Sequence, residues 1–134
     1  MRFSTYEEYI PLTKSIPVEL MMELHQEMLS EIGTNEEALE LYEEFLQAAN
    51  RYSTFRSNWC IWCHKEKIDK DSSRTSCHDS MIVKLNQLAR YLKMHGTNVN
   101  WREVLGDENE DVYNRKRIGD FACYVVFVNS ISAR

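Results

Sequence analysis

The sequence predicts a compact, mostly α-helical domain of four to five helices with a zinc-pinned central loop. Three observations lead to this prediction. Apolar residues recur at three- and four-residue steps in most long segments, which is the spacing of one helix face. The chain has 134 residues, a length that suits a single domain covering residues 1–134. A polar stretch in the middle of the chain contains closely spaced cysteine and histidine residues.

The first two helices are predicted on either side of Gly33, a typical residue to follow a helix C-terminus. The first helix begins near Pro17. Its apolar stripe consists of Val18, Met21, Met22, Leu24, Met28, Leu29 and Ile32. Thr34 and Glu37 fit a capping box at the start of the second helix. The second stripe consists of Ala38, Leu41, Tyr42, Phe45, Ala48, Ala49 and Tyr52.

A third helix is expected from about Asp79 to His95, where Gly96 stops it. Its apolar face consists of Met81, Ile82, Leu85, Leu88, Ala89 and Leu92. Asn100 is expected to cap a short helical turn. The apolar run at 121–128 is long enough for either a strand or a helix. We predict a central buried helix there, because a lone strand would have no partner.

The charge is unevenly distributed along a chain whose formal net charge is −5. It sums to −9 over residues 1–50, to +5 over 51–105 and to −1 over 106–134. An acidic surface and a basic surface on one small domain would attract different partners. Because no apolar run could span a bilayer and no secretory signal is visible, we expect an intracellular protein, cytoplasmic or nuclear, without membrane contact.

The segment at about 53–78 loses the helical period and collects Ser, Thr, Asn, Asp and Lys residues. We therefore expect a long loop between the second and third helices. Long loops in compact domains are usually functional or held by an additional constraint. The cysteines in this segment supply a candidate for that constraint.

Cys60 and Cys63 have the two-residue spacing that lets a knuckle place two thiolates on one metal ion. Cys77 and His78 follow, so three sulfurs and one imidazole can complete a tetrahedral shell around Zn²⁺. His64 is an alternative fourth ligand. We prefer His78, because the predicted third helix would hold it rigidly.

Other interpretations of the same residues remain open. The run from Cys60 through Cys63 to His64 matches the attachment spacing of c-type haem. The Cys-x-x-Cys spacing is also that of redox-active turns, although those belong to βαβ units, which this sequence does not predict. The cysteines can also be unligated thiols of an intracellular protein.

Aromatic and cationic side chains alternate around the predicted metal site, a mixture that suits single-stranded or looped RNA. The candidate RNA-binding residues are Arg56, Trp59, Trp62, Lys65, Lys67, Lys70 and Arg74. The alternative is that the aromatic rings pack onto the helices while the cationic side chains only keep the loop solvated.

The sequence favours a non-enzymatic zinc-binding regulatory protein that binds RNA. It contains no Gly-rich phosphate loop, nucleophile elbow or paired catalytic carboxylate motif. The first alternative is a protein-interaction adaptor with purely structural zinc, and a small viral or host regulatory factor would fit either function. A second alternative is a redox or c-type haem protein that uses Cys60 and Cys63. His25, which lies between two glutamates on the first helix, is expected at the surface.

Overall fold

The structure is a computed structural model that describes residues 16–58, 63–106 and 112–132. Within these ranges it contains α-helices and no strand, which confirms the predicted mostly helical fold. The five helices are α1 (Val18–Ile32), α2 (Glu36–Asn58), α3 (His64–Met94), α4 (Asn100–Leu105) and α5 (Val112–Ser132).

α5 is the central helix, as predicted for the C-terminal apolar run. It contacts α2 most extensively and also meets α1, α3 and α4. Every residue from Ile118 to Phe127 is buried. A helix that is apolar on all sides needs neighbours on all sides, because each large apolar side chain gains about 1.5–3 kcal/mol on burial. The strand alternative for this segment is therefore excluded.

α2 and α3 lie side by side and antiparallel. Lys84 Nζ of α3 is 3.3 Å from Glu44 Oε1 of α2. Further along, the ring of His78 packs edge-on against Tyr52, with 5.0 Å between the ring centroids. These two contacts show that the helices run in opposite directions. In this register, the first turns of α3 extend beyond the C-terminal end of α2.

In the connection between α1 and α2, Gly33 follows the end of α1 as predicted, but the residue that caps α2 is not the predicted one. Gly33 has a φ of 52°, a conformation that favours glycine, and its N–H donates to Leu29 O. The cap of α2 is Asn35, whose Oδ1 accepts a hydrogen bond from Ala38 N–H at 3.0 Å. The predicted cap at Thr34 is wrong by one residue, because α2 begins at Glu36 and Asn35 is an equally good capping residue.

The long loop predicted at about 53–78 is wrong wherever the structure describes this segment. Residues 53–58 continue α2, and α3 begins at His64 rather than near Asp79. The described side chains of 64–76, here called the α3 extension, are exposed or half-exposed. Hydrophobic periodicity reveals a helix only where one face is buried, so this extension showed no period.

α4 is fixed to α1 by one carboxylate. Glu31 Oε1 accepts a hydrogen bond from Trp101 Nε1 at 2.7 Å, and Glu31 Oε2 accepts one from Val99 N–H at 3.3 Å. Val99 has a φ of 47°, which is strained for a β-branched residue. The bond from Glu31 helps to hold Val99 in this conformation, and the buried Trp101 closes this end of the core.

Candidate functional site

Those predicted metal ligands that the structure describes lie at two separate places along the chain. Cys63 is exposed and immediately precedes the helix, whereas Cys77 is half-buried and His78 is buried. Cys60 and the side chain of His64 lie outside the described residues. Among the residues that the structure describes, no three His, Cys, Asp or Glu side chains are grouped closely enough to hold a metal ion.

The helix itself keeps Cys63 apart from Cys77 and His78. Cys77 lies fourteen residues after Cys63, a distance of about 21 Å along a helix axis. Zinc–sulfur bonds are about 2.3 Å long, so two sulfurs on one ion lie within a few ångströms of each other. α3 therefore does not bring Cys63 and Cys77 to one ion. Zinc binding through Cys60 and Cys63, with His64 as the alternative ligand to His78, stays a prediction.

The predicted RNA-binding residues are distributed over the α2–α3 junction. Lys65 is exposed and Lys70 half-exposed, and both belong to the α3 extension. Trp59 and Trp62 lie outside the described residues. Three other candidates are on helices whose backbone is described but whose side chains there are not: Arg56, Lys67 and Arg74.

The cationic side chains of the α3 extension are accompanied by acidic ones. Exposed Glu66 and Asp69 stand beside Lys65 and Lys70. Opposite charges at such short helical spacing offset one another's field, which weakens the attraction for phosphates. The RNA-binding hypothesis stays a prediction.

A buried polar network that the sequence analysis missed links α1, α2 and α5. His25 is only 5% exposed, so the expectation of a surface histidine is wrong. His25 Nε2 lies 3.0 Å from the hydroxyl of Tyr42. Asn129 Nδ2 donates to the same hydroxyl at 3.0 Å and to Val125 O at 2.8 Å. Three helices thus share one hydrogen-bonded cluster inside the core.

The charge state of this network follows from its burial. Desolvation lowers the pKa of His25 from 6.5 to about 4, so the imidazole is neutral at neutral pH. Desolvation also raises the pKa of Tyr42, against a smaller lowering by the hydrogen bond from Asn129. Because Asn129 donates to the Tyr42 oxygen, the Tyr42 proton is available for His25 Nε2. The cluster is therefore an uncharged structural link between three helices.

A surface groove lies directly beside this network, between α2 and α5. It has a volume of about 370 Å³. Its lining residues are Glu43, Leu46, Gln47, Asn50, Val126 and Asn129. Leu46 and Val126 are its apolar members, and Asn129 connects it to the buried hydroxyl of Tyr42. This volume is near the lower end of ligand pockets, which span roughly 300–1,000 Å³, so it suits a few inserted side chains.

α1 and α2 carry a large excess of acidic side chains, here called the acidic surface, and one of them, Glu43, lines the groove. Residues 16–50 contain nine acidic side chains and no Lys or Arg. All nine are exposed or half-exposed: Glu19, Glu23, Glu27, Glu31, Glu36, Glu37, Glu40, Glu43 and Glu44. The negative charge predicted from the sequence is thus gathered on two consecutive helices.

Exposed apolar side chains accompany the acidic residues. Met22 and Leu29 of α1 are 43% and 41% exposed, and they lie about one helical turn on either side of His25. Leu39 and Leu46 stand in the same relation to Tyr42 on α2, with Leu39 41% exposed. Since His25 and Tyr42 touch, these four side chains flank the contact between the two helices.

None of the described helices is both long and apolar enough to cross a bilayer.

Comparison with known proteins gives no relative from which a function could be transferred. No family model, no curated protein and no solved structure matches the chain.

Proposed function

We propose that this protein is a non-enzymatic adaptor that binds a basic partner protein through the acidic surface of α1 and α2. The observation that carries the proposal is the set of nine exposed or half-exposed carboxylates on residues 16–50, a stretch without Lys or Arg. Charge of one sign on one surface repels anions and attracts cations over about a Debye length.

The apolar side chains on this surface favour a protein partner. Met22, Leu29 and Leu39 are each more than 40% exposed beside the carboxylates. Protein interfaces combine apolar contact with charged rims, and methionine adapts to partners of different shape. Nucleic acid is disfavoured here, since phosphates would meet the nine carboxylates.

Charge reversal on α2 tests the proposal. The probe is a labelled amphipathic peptide of Leu and Lys, about five helical turns long. The double variant Glu40→Lys/Glu43→Lys should weaken its binding about tenfold or more, because four units of charge change on the proposed surface.

The matched control is Glu66→Lys/Asp69→Lys, which makes the same change of charge on the exposed α3 extension. This control should leave the affinity within about twofold of the original value. Equal losses in both double variants would show that only net charge matters and would contradict the proposal.

RNA binding at the α2–α3 junction is the second candidate, because exposed Lys65 and half-exposed Lys70 lie near the end of α3 that extends past α2. Its test is the affinity for labelled single-stranded RNA at two salt concentrations. Replacement of Lys65, Lys67, Lys70 and Arg74 by Ser should abolish salt-dependent binding. An unchanged affinity would remove this candidate.

Zinc bound through Cys60 and Cys63, two of the predicted ligands, would be structural in either function. The metal content of purified protein is the direct test of this site. Zinc that is lost on replacement of Cys63 by Ser would support it, whereas metal-free protein with intact helices would contradict it.

A further inference from the structure

We propose that the groove between α2 and α5 binds the apolar face of a basic amphipathic helix from a partner protein. This inference rests on the proposed function and assigns it a particular site. The helix would insert apolar side chains against Leu46 and Val126 while its cationic residues meet the carboxylates around them. The carboxylates of the acidic surface attract the cationic side chains of the partner helix. The groove favours a helix that has an apolar face.

Two polar side chains of the groove, Asn129 and Glu43, can accept hydrogen bonds from a ligand. Asn129 uses its Nδ2 group to bond Tyr42 and Val125 inside the fold. It can therefore offer its Oδ1, which is an acceptor, to a ligand. Glu43 is exposed and contributes a carboxylate, also an acceptor. The polar groups of lysine and arginine are hydrogen-bond donors only, so these side chains match such acceptors.

The position of the groove explains why its shape would be maintained without a ligand. Val126 is buried on the central helix, and Asn129 is held by two hydrogen bonds. The opposite wall is α2, which Tyr42 joins to the same network. A preformed groove binds with less loss of conformational entropy than one that must be assembled.

The charges near the groove complement a basic helix. Glu36, Glu40 and Glu43 follow a helical spacing of four and three residues, so they form one exposed stripe along α2. Leu39 and Leu46, seven residues apart, run beside this stripe. An apolar row next to an acidic row matches a helix with an apolar face and cationic flanks.

The test compares two peptides of identical composition by titration against the full chain. One places Leu and Lys at amphipathic helical spacing, and the other has a scrambled order with the same charge. Leu46→Lys places a cation in the groove, and Gln47→Arg does so at an exposed position, where substitutions usually change stability little. Val83→Lys is the matched control, because Val83 is 52% exposed on α3 and does not line the groove.

The amphipathic peptide should bind about tenfold more tightly than the scrambled one, and both groove variants should remove that difference. The control Val83→Lys should preserve it. Equal affinities for the two peptides, unaffected by Gln47→Arg, would overturn the groove while leaving the acidic adaptor intact. No binding of either peptide at low salt would overturn both proposals. Tighter binding of single-stranded RNA than of either peptide would also contradict both.

Discussion

His25 shows how a single residue can be misplaced by its neighbours in sequence. Met21, His25, Met28 and Ile32 follow steps of four, three and four, which places all of them on the buried face of α1. The expectation of a surface position relied on the flanking glutamates. Helical residues two apart point roughly 200° apart, so Glu23 and Glu27 lie on nearly the opposite face of the helix from His25. The register was a signal that could have identified this buried histidine.

Replacing His25 with Gln should flatten the pH dependence of stability between about pH 6.5 and 4. The folded-state pKa of about 4 is below the ordinary value of 6.5, so the unfolded chain gains the proton first as pH falls. The contribution of neutral His25 is complete above pH 6.5 and lost by about pH 4, amounting to roughly 3 kcal/mol at most. Urea denaturation across this range measures the slope. An equally steep loss in the variant would contradict this assignment.

At the scale of the helices, burial decides which elements could be predicted. The C-terminal helix was predictable because its apolar run needed a buried position, and the end of α3 was predictable from Gly96. The α3 extension was not, since its exposed side chains produce no period. One overlooked signal was the absence of Gly and Pro between Gly33 and Gly96. A stretch without helix breakers can stay helical even when all its faces are polar.

Ser73→Pro tests whether the α3 extension is helical. Ser73 is exposed in the structure, so the substitution should act on the backbone alone. Proline removes one helical hydrogen bond and clashes with the preceding turn, at a cost of about 3 kcal/mol. We expect residues before it to lose helical Cα chemical shifts while the core melts at nearly the same temperature. Ser73→Ala is the control and should retain the helix; an extension without helical shifts in either protein would restore the loop prediction.

Glu31→Ala tests the attachment of α4 to α1. The carboxylate accepts hydrogen bonds from Trp101 Nε1 and Val99 N–H. Its removal should lower the free energy of unfolding by about 2 kcal/mol, since bonds to a charged acceptor are stronger than neutral ones. Glu23→Ala, at an exposed position on the same helix, is the control and should have an effect below about 0.5 kcal/mol. Equal effects in chemical denaturation would argue against the attachment.

For the molecule as a whole, the uneven distribution of charge could be predicted from the sequence, but the groove between α2 and α5 could not. The acidic N-terminal region follows from counting residues, and the adaptor was already an alternative from the sequence. The groove depends on the pairing of α2 with α5, and Tyr42 and Asn129 are far apart in the chain. Such pairing cannot be read from local periodicity, because it is decided by how the buried faces of five helices fit together.

Mapping where a basic amphipathic helix binds tests the groove between α2 and α5 as a docking site. Backbone amide shifts of the labelled protein can be followed while the amphipathic Leu/Lys peptide is added. If the helix binds in the groove, the largest shift changes should occur at Leu46, Asn50, Val126 and Asn129. Changes concentrated in the α3 extension, or spread evenly over all exposed residues, would contradict it.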